Sequence, residues 1–128
     1  SKKGRLAEII VIEQFSRNFF RDKPDAYYHD CLAIFLSKKL IHLKPHQKLN
    51  KNEKIFTFMP FMHSEIFEDQ IISLSLYSNL GIKENFRSAL KHFNIIRKFG
   101  RFPHRNKILN RKSTEEELAF LTTSGSSF

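Results

Sequence analysis

Apolar side chains recur at intervals of three and four residues through segment after segment of this chain, and no stretch alternates apolar with polar at period two. The first spacing gathers side chains on one face of a helix, and the missing alternation is what a half-buried strand requires, so the pattern restricts the chain to an all-α fold. Leu6, Ile9, Ile10, Ile12, Phe15, Phe19 and Phe20 predict a first helix over about residues 5–20. Pro24 suits a first helical turn, and Tyr27, Tyr28, Cys31, Leu32, Ile34, Phe35 and Leu36 carry a second helix to about residue 42. After a loop over 42–50, Asn52 is expected to cap a third helix bearing Ile55, Phe56, Phe58 and Met59, which Pro60 kinks or shortens. Ser64 is expected to cap a fourth helix holding Ile66, Phe67, Ile71, Ile72, Leu74, Leu76 and Tyr77, closed by Gly81 in a left-handed conformation. A fifth, about residues 84–99, carries Phe86, Leu90, Phe93, Ile96 and Phe99 and ends in the same way at Gly100. Arg101 to Arg111 reads as irregular, and Thr114 with Glu117 forms a capping box for a short last helix with Leu118, Phe120 and Leu121. Short connections predict that these roughly six helices pack as antiparallel hairpins. Fourteen Phe and no Trp imply a core built largely of phenylalanine.

A chain of 128 residues fits one domain, taken as residues 1–121, with 122–128 expected to be a flexible tail. Apolar residues make up 41% and charged residues 27%, which excludes disorder by composition. The most apolar run, Ile9 to Ile12, is too short to span a bilayer, so no membrane role is expected. Ser1-Lys2-Lys3-Gly4 is basic but has no long apolar region behind it, unlike a secretory signal. With Cys31 alone there is no disulfide framework, and a reducing, cytoplasmic setting is expected. The net charge of +9 creates a field that attracts anions. Because Lys44, Lys48, Lys51 and Lys54 sit where solubility explains them, and no binding motif accompanies the charge, nucleic acid is disfavoured as a partner.

Three polar clusters interrupt the apolar pattern. In the first, Glu13 with Arg17 and Gln14 with Asn18 share helix faces beside Phe15, Phe19 and Phe20, where polar groups must reach solvent or find partners. A surface pair with packing hydrogen bonds would also explain them. The second, Met62-His63-Ser64-Glu65 with Asp69-Gln70, lies at a helix junction; His63 and Glu65 could act as acid and base. Glu65 and Asp69 also suit a helix N-terminus, and the spacing matches no metal motif, so no metal and no cofactor are expected. The third presents Arg101, His104, Arg105, Asn106 and Arg111 from a segment stiffened by Gly100 and Pro103. Paired arginines suit a carboxylate or phosphate, although Arg and Asn could equally satisfy helix-terminal carbonyls, with His92 and His104 merely packed.

Through Gly4-Arg5-Leu6-Ala7, Glu13 to Arg21, Pro60 to Glu65 with Asp69-Gln70, and His92 to Leu121, the chain resembles the bacterial family catalogued as domain of unknown function 924. The resemblance spans nearly the whole chain and implies stacked helix hairpins in a tetratricopeptide-like arrangement; it implies no established activity. The sequence departs from the family pattern at Glu13, usually Asp, at Ser16, usually Pro, and at Asn110, usually Gly. The family's additional N-terminal helical segment, which bears Trp, is expected to be missing here, which would leave apolar surface for a second copy to cover.

These readings converge on one expectation: Gln14, Arg17, Asn18, His63, Glu65, Gln70, Arg101, His104, Arg105 and Asn106 meet at a concave site for a small anionic ligand. Catalysis by His63 or His104, with Glu65 or Glu13 as partner, is the weaker expectation, since Ser64 and Cys31 show no activated-nucleophile pattern. The alternative is a helical interaction module for a peptide, a protein partner or a homodimer.

Overall fold

The computed structural model describes residues 2–11, 30–42 and 48–128. They form α1 (Lys2–Ile10), α2 (Asp30–His42), α3 (Lys51–Met62), α4 (Phe67–Leu80), α5 (Lys83–Phe99), a single 3₁₀ turn (Pro103–Arg105) and α6 (Glu115–Leu121), with no strand among the described residues. The all-α expectation is met. The first polar cluster, including Gln14, Arg17 and Asn18, lies outside the described residues, as does most of the sequence around Pro24. None of the described helices is long and apolar enough to cross a membrane.

Local chemistry explains the ends of these helices. Asn50, not Asn52, caps α3: its side chain accepts the Glu53 N–H at 2.9 Å while Glu53 accepts the Asn50 N–H at 3.1 Å, a reciprocal box that Asn52 has no partner to make. Pro60 does not end α3, which continues to Met62; in the last turn the loss of one backbone donor is tolerated. Ser64 does not cap α4. The helix starts later, at Phe67, because the Ser64 hydroxyl is engaged elsewhere, donating to Asp69 Oδ2 at 2.7 Å and accepting the Ile66 N–H at 3.1 Å. Gly81 and Gly100 close α4 and α5 at φ +79° and +74°, as the pattern requires. The Thr114–Glu117 box opens α6.

Helices α3, α4 and α5 pack in sequence, each antiparallel to the last. Tyr77 near the end of α4 meets Phe58 and donates to the Ile55 carbonyl at 2.9 Å, whereas Gln70 near its start reaches the end of α3. Phe67 at the start of α4 then packs on Phe93, well along α5. Three apolar patches result: Leu6, Ile9, Leu36, Leu40 and Leu49 between α1 and α2; Phe58, Met62, Tyr77, Leu80 and Ala89 in the middle; and Ile95, Ile96 and Phe102 at the far end. Among the described residues the core is chiefly aliphatic rather than built largely of phenylalanine. Of the described phenylalanines only Phe58, Phe61 and Phe102 are buried, because much of each helix in so small a domain faces outward. Lys38 of α2 pairs with the buried Asp69 of α4 at 2.9 Å and so ties the first patch to the rest.

Candidate functional site

Beyond Gly100 the chain must turn sharply, and Phe102 anchors the turn. Its extended backbone is what a residue before proline prefers, its ring is fully buried, and Pro103 opens the 3₁₀ turn that follows. Helix α5 delivers His92 against that ring, and the guanidinium of Arg105 stacks on it at 4.7 Å.

Around this anchor runs a continuous polar network. Glu65, from the α3–α4 junction, accepts the Phe102 N–H at 2.6 Å and both arms of Arg111 at 2.8 and 3.0 Å. Arg111 also donates to Asn106 Oδ1 at 3.0 Å and the Phe102 carbonyl at 3.2 Å. Asn106 passes the chain on, donating to Ser113 at 3.1 Å and Glu117 at 3.3 Å. Glu117 in turn takes Arg101 as a fork, at 2.9 and 2.7 Å, and the Thr114 N–H at 2.9 Å. Burial alone would raise the Glu65 carboxyl, but the Arg111 and Phe102 hydrogen bonds and the nearby Arg105 outweigh it and hold the group below its ordinary range. The Arg101 fork is the chief cause that holds Glu117 down at about 2, and Glu117 reciprocally raises Arg101. A carboxylate kept ionised in this way is a weak proton acceptor, so the geometry makes Glu65 an anchor rather than a base.

The second and third clusters therefore meet, but they separate by role. Gln70 is fully buried and donates to the Met62 carbonyl at 2.8 Å and the Ser64 carbonyl at 2.7 Å, closing the end of α3. Arg101 and Asn106 are consumed by the network. His104 lies with His92 and Phe102 around the ring of Phe128, whose centroid is 4.5 Å from His104 and 4.0 Å from His92. His92 Nδ1 donates to the Ser88 carbonyl at 2.7 Å; burial first, and then the proximity of His63, push its pKa down to about 3 and keep it neutral.

His63, Glu65 and Arg105 line a cavity of about 430 Å³ between α2 and the α3–α4 junction. Ile34, Pro60, Ile66 and Leu109 make its walls apolar, and Asp30, Cys31 and Ser64 complete its polar side. The Arg105 side chain is only 6% exposed, donates to the His63 carbonyl at 2.9 Å, and stands 3.8 Å from Asp30. Sequence reasoning had not singled out Asp30 or Glu117 as site residues: the first carries no local signal, and the second is already explained by its capping box. Among the described residues no group of three His, Cys, Asp or Glu is placed to hold a metal ion.

Residues 1–125 match the family described as "Bacterial protein of unknown function (DUF924)". The chain belongs to this family. It is also similar to the solved structure of a protein of unknown function from Agrobacterium tumefaciens, at 34% identity and a TM-score of 0.91 over 95% of this chain and 69% of that one. No curated protein matches the chain. Asn110 sits at φ +55°, a left-handed position that glycine adopts most readily, and Asn is among the side chains that tolerate it best.

Proposed function

We propose that this protein binds a small anionic ligand in the cavity beside His63 and Arg105. The observation that carries the reading is a buried guanidinium in the wall of an otherwise largely apolar cavity, at a volume within the range of about 300–1,000 Å³ common for small-molecule sites. A ligand carboxylate or phosphate at Arg105 would gain charge-assisted hydrogen bonds, while its apolar part lies on Ile34, Pro60 and Ile66. Arg101 is paired with Glu117 and Arg111 with Glu65, and neither lines this cavity.

The test is a thermal-shift screen with inorganic phosphate and short carboxylates. A ligand at a hundredfold excess over its Kd adds about 2.7 kcal/mol to stability, so a saturable rise in Tm is expected. Arg105→Gln should remove it, as should Ile34→Trp, which fills the cavity without touching a charge. Arg101→Ala should lower the basal Tm yet keep the ligand shift. No shift with any probe, or a shift that survives both cavity variants, would sink the reading.

A specific feature favours a second reading, that of a helical interaction module built from stacked, tetratricopeptide-like hairpins. Leu32 and Phe35 on α2, and Phe67 and Ile71 on α4, are exposed although large and apolar. If this reading holds, light scattering should reveal self-association that Phe35→Glu abolishes.

A further inference from the structure

We infer that the place filled by the ring of Phe128 is a binding slot for a phenol, an aromatic ring that carries a hydrogen-bond donor, and that Phe128 is the protein's own displaceable occupant of it. Three rings surround that of Phe128: His92 at 4.0 Å, His104 at 4.5 Å and Phe102 at 5.2 Å between centroids, the last two edge-on, as aromatic pairs prefer. Phe102 is fully buried and His92 is only 6% exposed, whereas Phe128 is 47% exposed. The box is therefore rooted in the core while its occupant lies at the surface. None of these four rings lines the cavity of Arg105, so the slot is a second site.

Phe128 leaves His92 Nε2 unmatched. His92 Nδ1 lies 2.7 Å from the Ser88 carbonyl, which can only accept, so Nδ1 carries the proton. Burial keeps the imidazole neutral, so Nε2 holds a lone pair, and that atom is buried without a hydrogen-bond partner. A phenyl ring has nothing to give it. A hydroxyl on a ring of the same size supplies the missing donor and removes the cost of an unsatisfied buried acceptor. The segment that bears Phe128 is held by local bonds alone: among the described residues, the hydroxyls of Thr122, Thr123 and Ser126 donate to the carbonyls of Ala119, Phe120 and Leu121. Gly125 turns the segment at φ +78°, where a Cβ would run into the Lys91 side chain, so the path back to the slot is a defined one. The Phe128 ring can nevertheless leave without breaking any of these hydrogen bonds.

The experiment titrates the intact protein with phenol and with anisole, its methyl ether, which keeps the ring and the oxygen but has no donor, and follows the imidazole nitrogen resonances by NMR. Phenol is expected to move the His92 Nε2 resonance and to bind about fivefold more tightly than anisole, the scale of one neutral hydrogen bond. An entering ring competes with a side chain tethered at an effective concentration on the order of millimolar, so Phe128→Ala should bind phenol at least about tenfold more tightly than the native protein. When His92→Phe is added to Phe128→Ala, phenol and anisole should bind alike. If Phe128→Ala folds and binds phenol no better than the native protein does, Phe128 is packing and the slot is overturned. Anisole binding as well as phenol, or phenol leaving the His92 resonance in place, overturns recognition through Nε2. Should Phe128→Ala not fold, the comparison of phenol with anisole on the native protein decides by itself. The phosphate and carboxylate screen at Arg105 reads other side chains, so either site can fail without the other.

Discussion

Arg101 and Arg105 stand four residues apart and hold their charges against different partners. Arg101 reaches outward and back to fork the Glu117 carboxylate, whereas Arg105 turns inward over Phe102 to the cavity wall. Glu117 is the residue on which the network most depends. Its two oxygens take Arg101, Asn106 and the Thr114 N–H, so one side chain serves as both cap and ion-pair partner. Glu117→Ala leaves those donors short of an acceptor in a buried place and should cost about 2 kcal/mol, read as a fall in the urea midpoint. Glu117→Gln retains an acceptor and should cost less. A loss below about 0.5 kcal/mol for the alanine variant, the level of ordinary surface substitutions, would show that the network adds little.

The helices are set at their ends more than along their lengths. Reciprocal boxes at Asn50 and Thr114 fix where α3 and α6 begin, and left-handed glycines fix where α4 and α5 stop. The turn from the 3₁₀ segment to α6 uses the same device without glycine. Arg111 returns its N–H to the Asn106 carbonyl at 2.8 Å only because Asn110 accepts φ +55°. Asn110→Gly should therefore stay within about 0.5 kcal/mol of the native stability, strain relief offsetting the added freedom of the unfolded chain. Asn110→Ala should lose about 1 kcal/mol, because a left-handed backbone penalises an ordinary Cβ and alanine offers no compensating local hydrogen bond. Equal stability of the two variants in thermal unfolding would rule out backbone strain as the reason for Asn there.

At the scale of the whole molecule, acid should unfold this protein in two stages. His92 is neutral in the folded chain down to about pH 3 but takes a proton at about 6.5 when unfolded, so its burial stabilises above 6.5 and that contribution is lost as pH falls from 6.5 toward 3. Glu117 titrates at about 2 when folded against 4.5 when unfolded, so its contribution is present above 4.5 and lost as pH falls toward 2, with Glu65 acting in the same direction. His92→Phe should flatten the fall in Tm between pH 6.5 and 4.5 and leave the steeper fall below 4.5; a His92→Phe profile parallel to the native one would contradict this. The amino-acid sequence by itself determined the helical class, the positions of most helices, the glycine stops and the box at Thr114. All of these arise between residues within one turn or one helix face of each other, where spacing alone sets the geometry. It also marked His63, Glu65, Arg101, Arg105 and Asn106 as polar groups needing explanation, because burial beside so many apolar residues demands partners. Only the tertiary structure decided which partners they have. Glu65 meets Arg111, and Asp30 meets Arg105, across long stretches of chain, and no local spacing encodes a contact that forms only when α2, the α3–α4 junction and the turn after α5 are packed together.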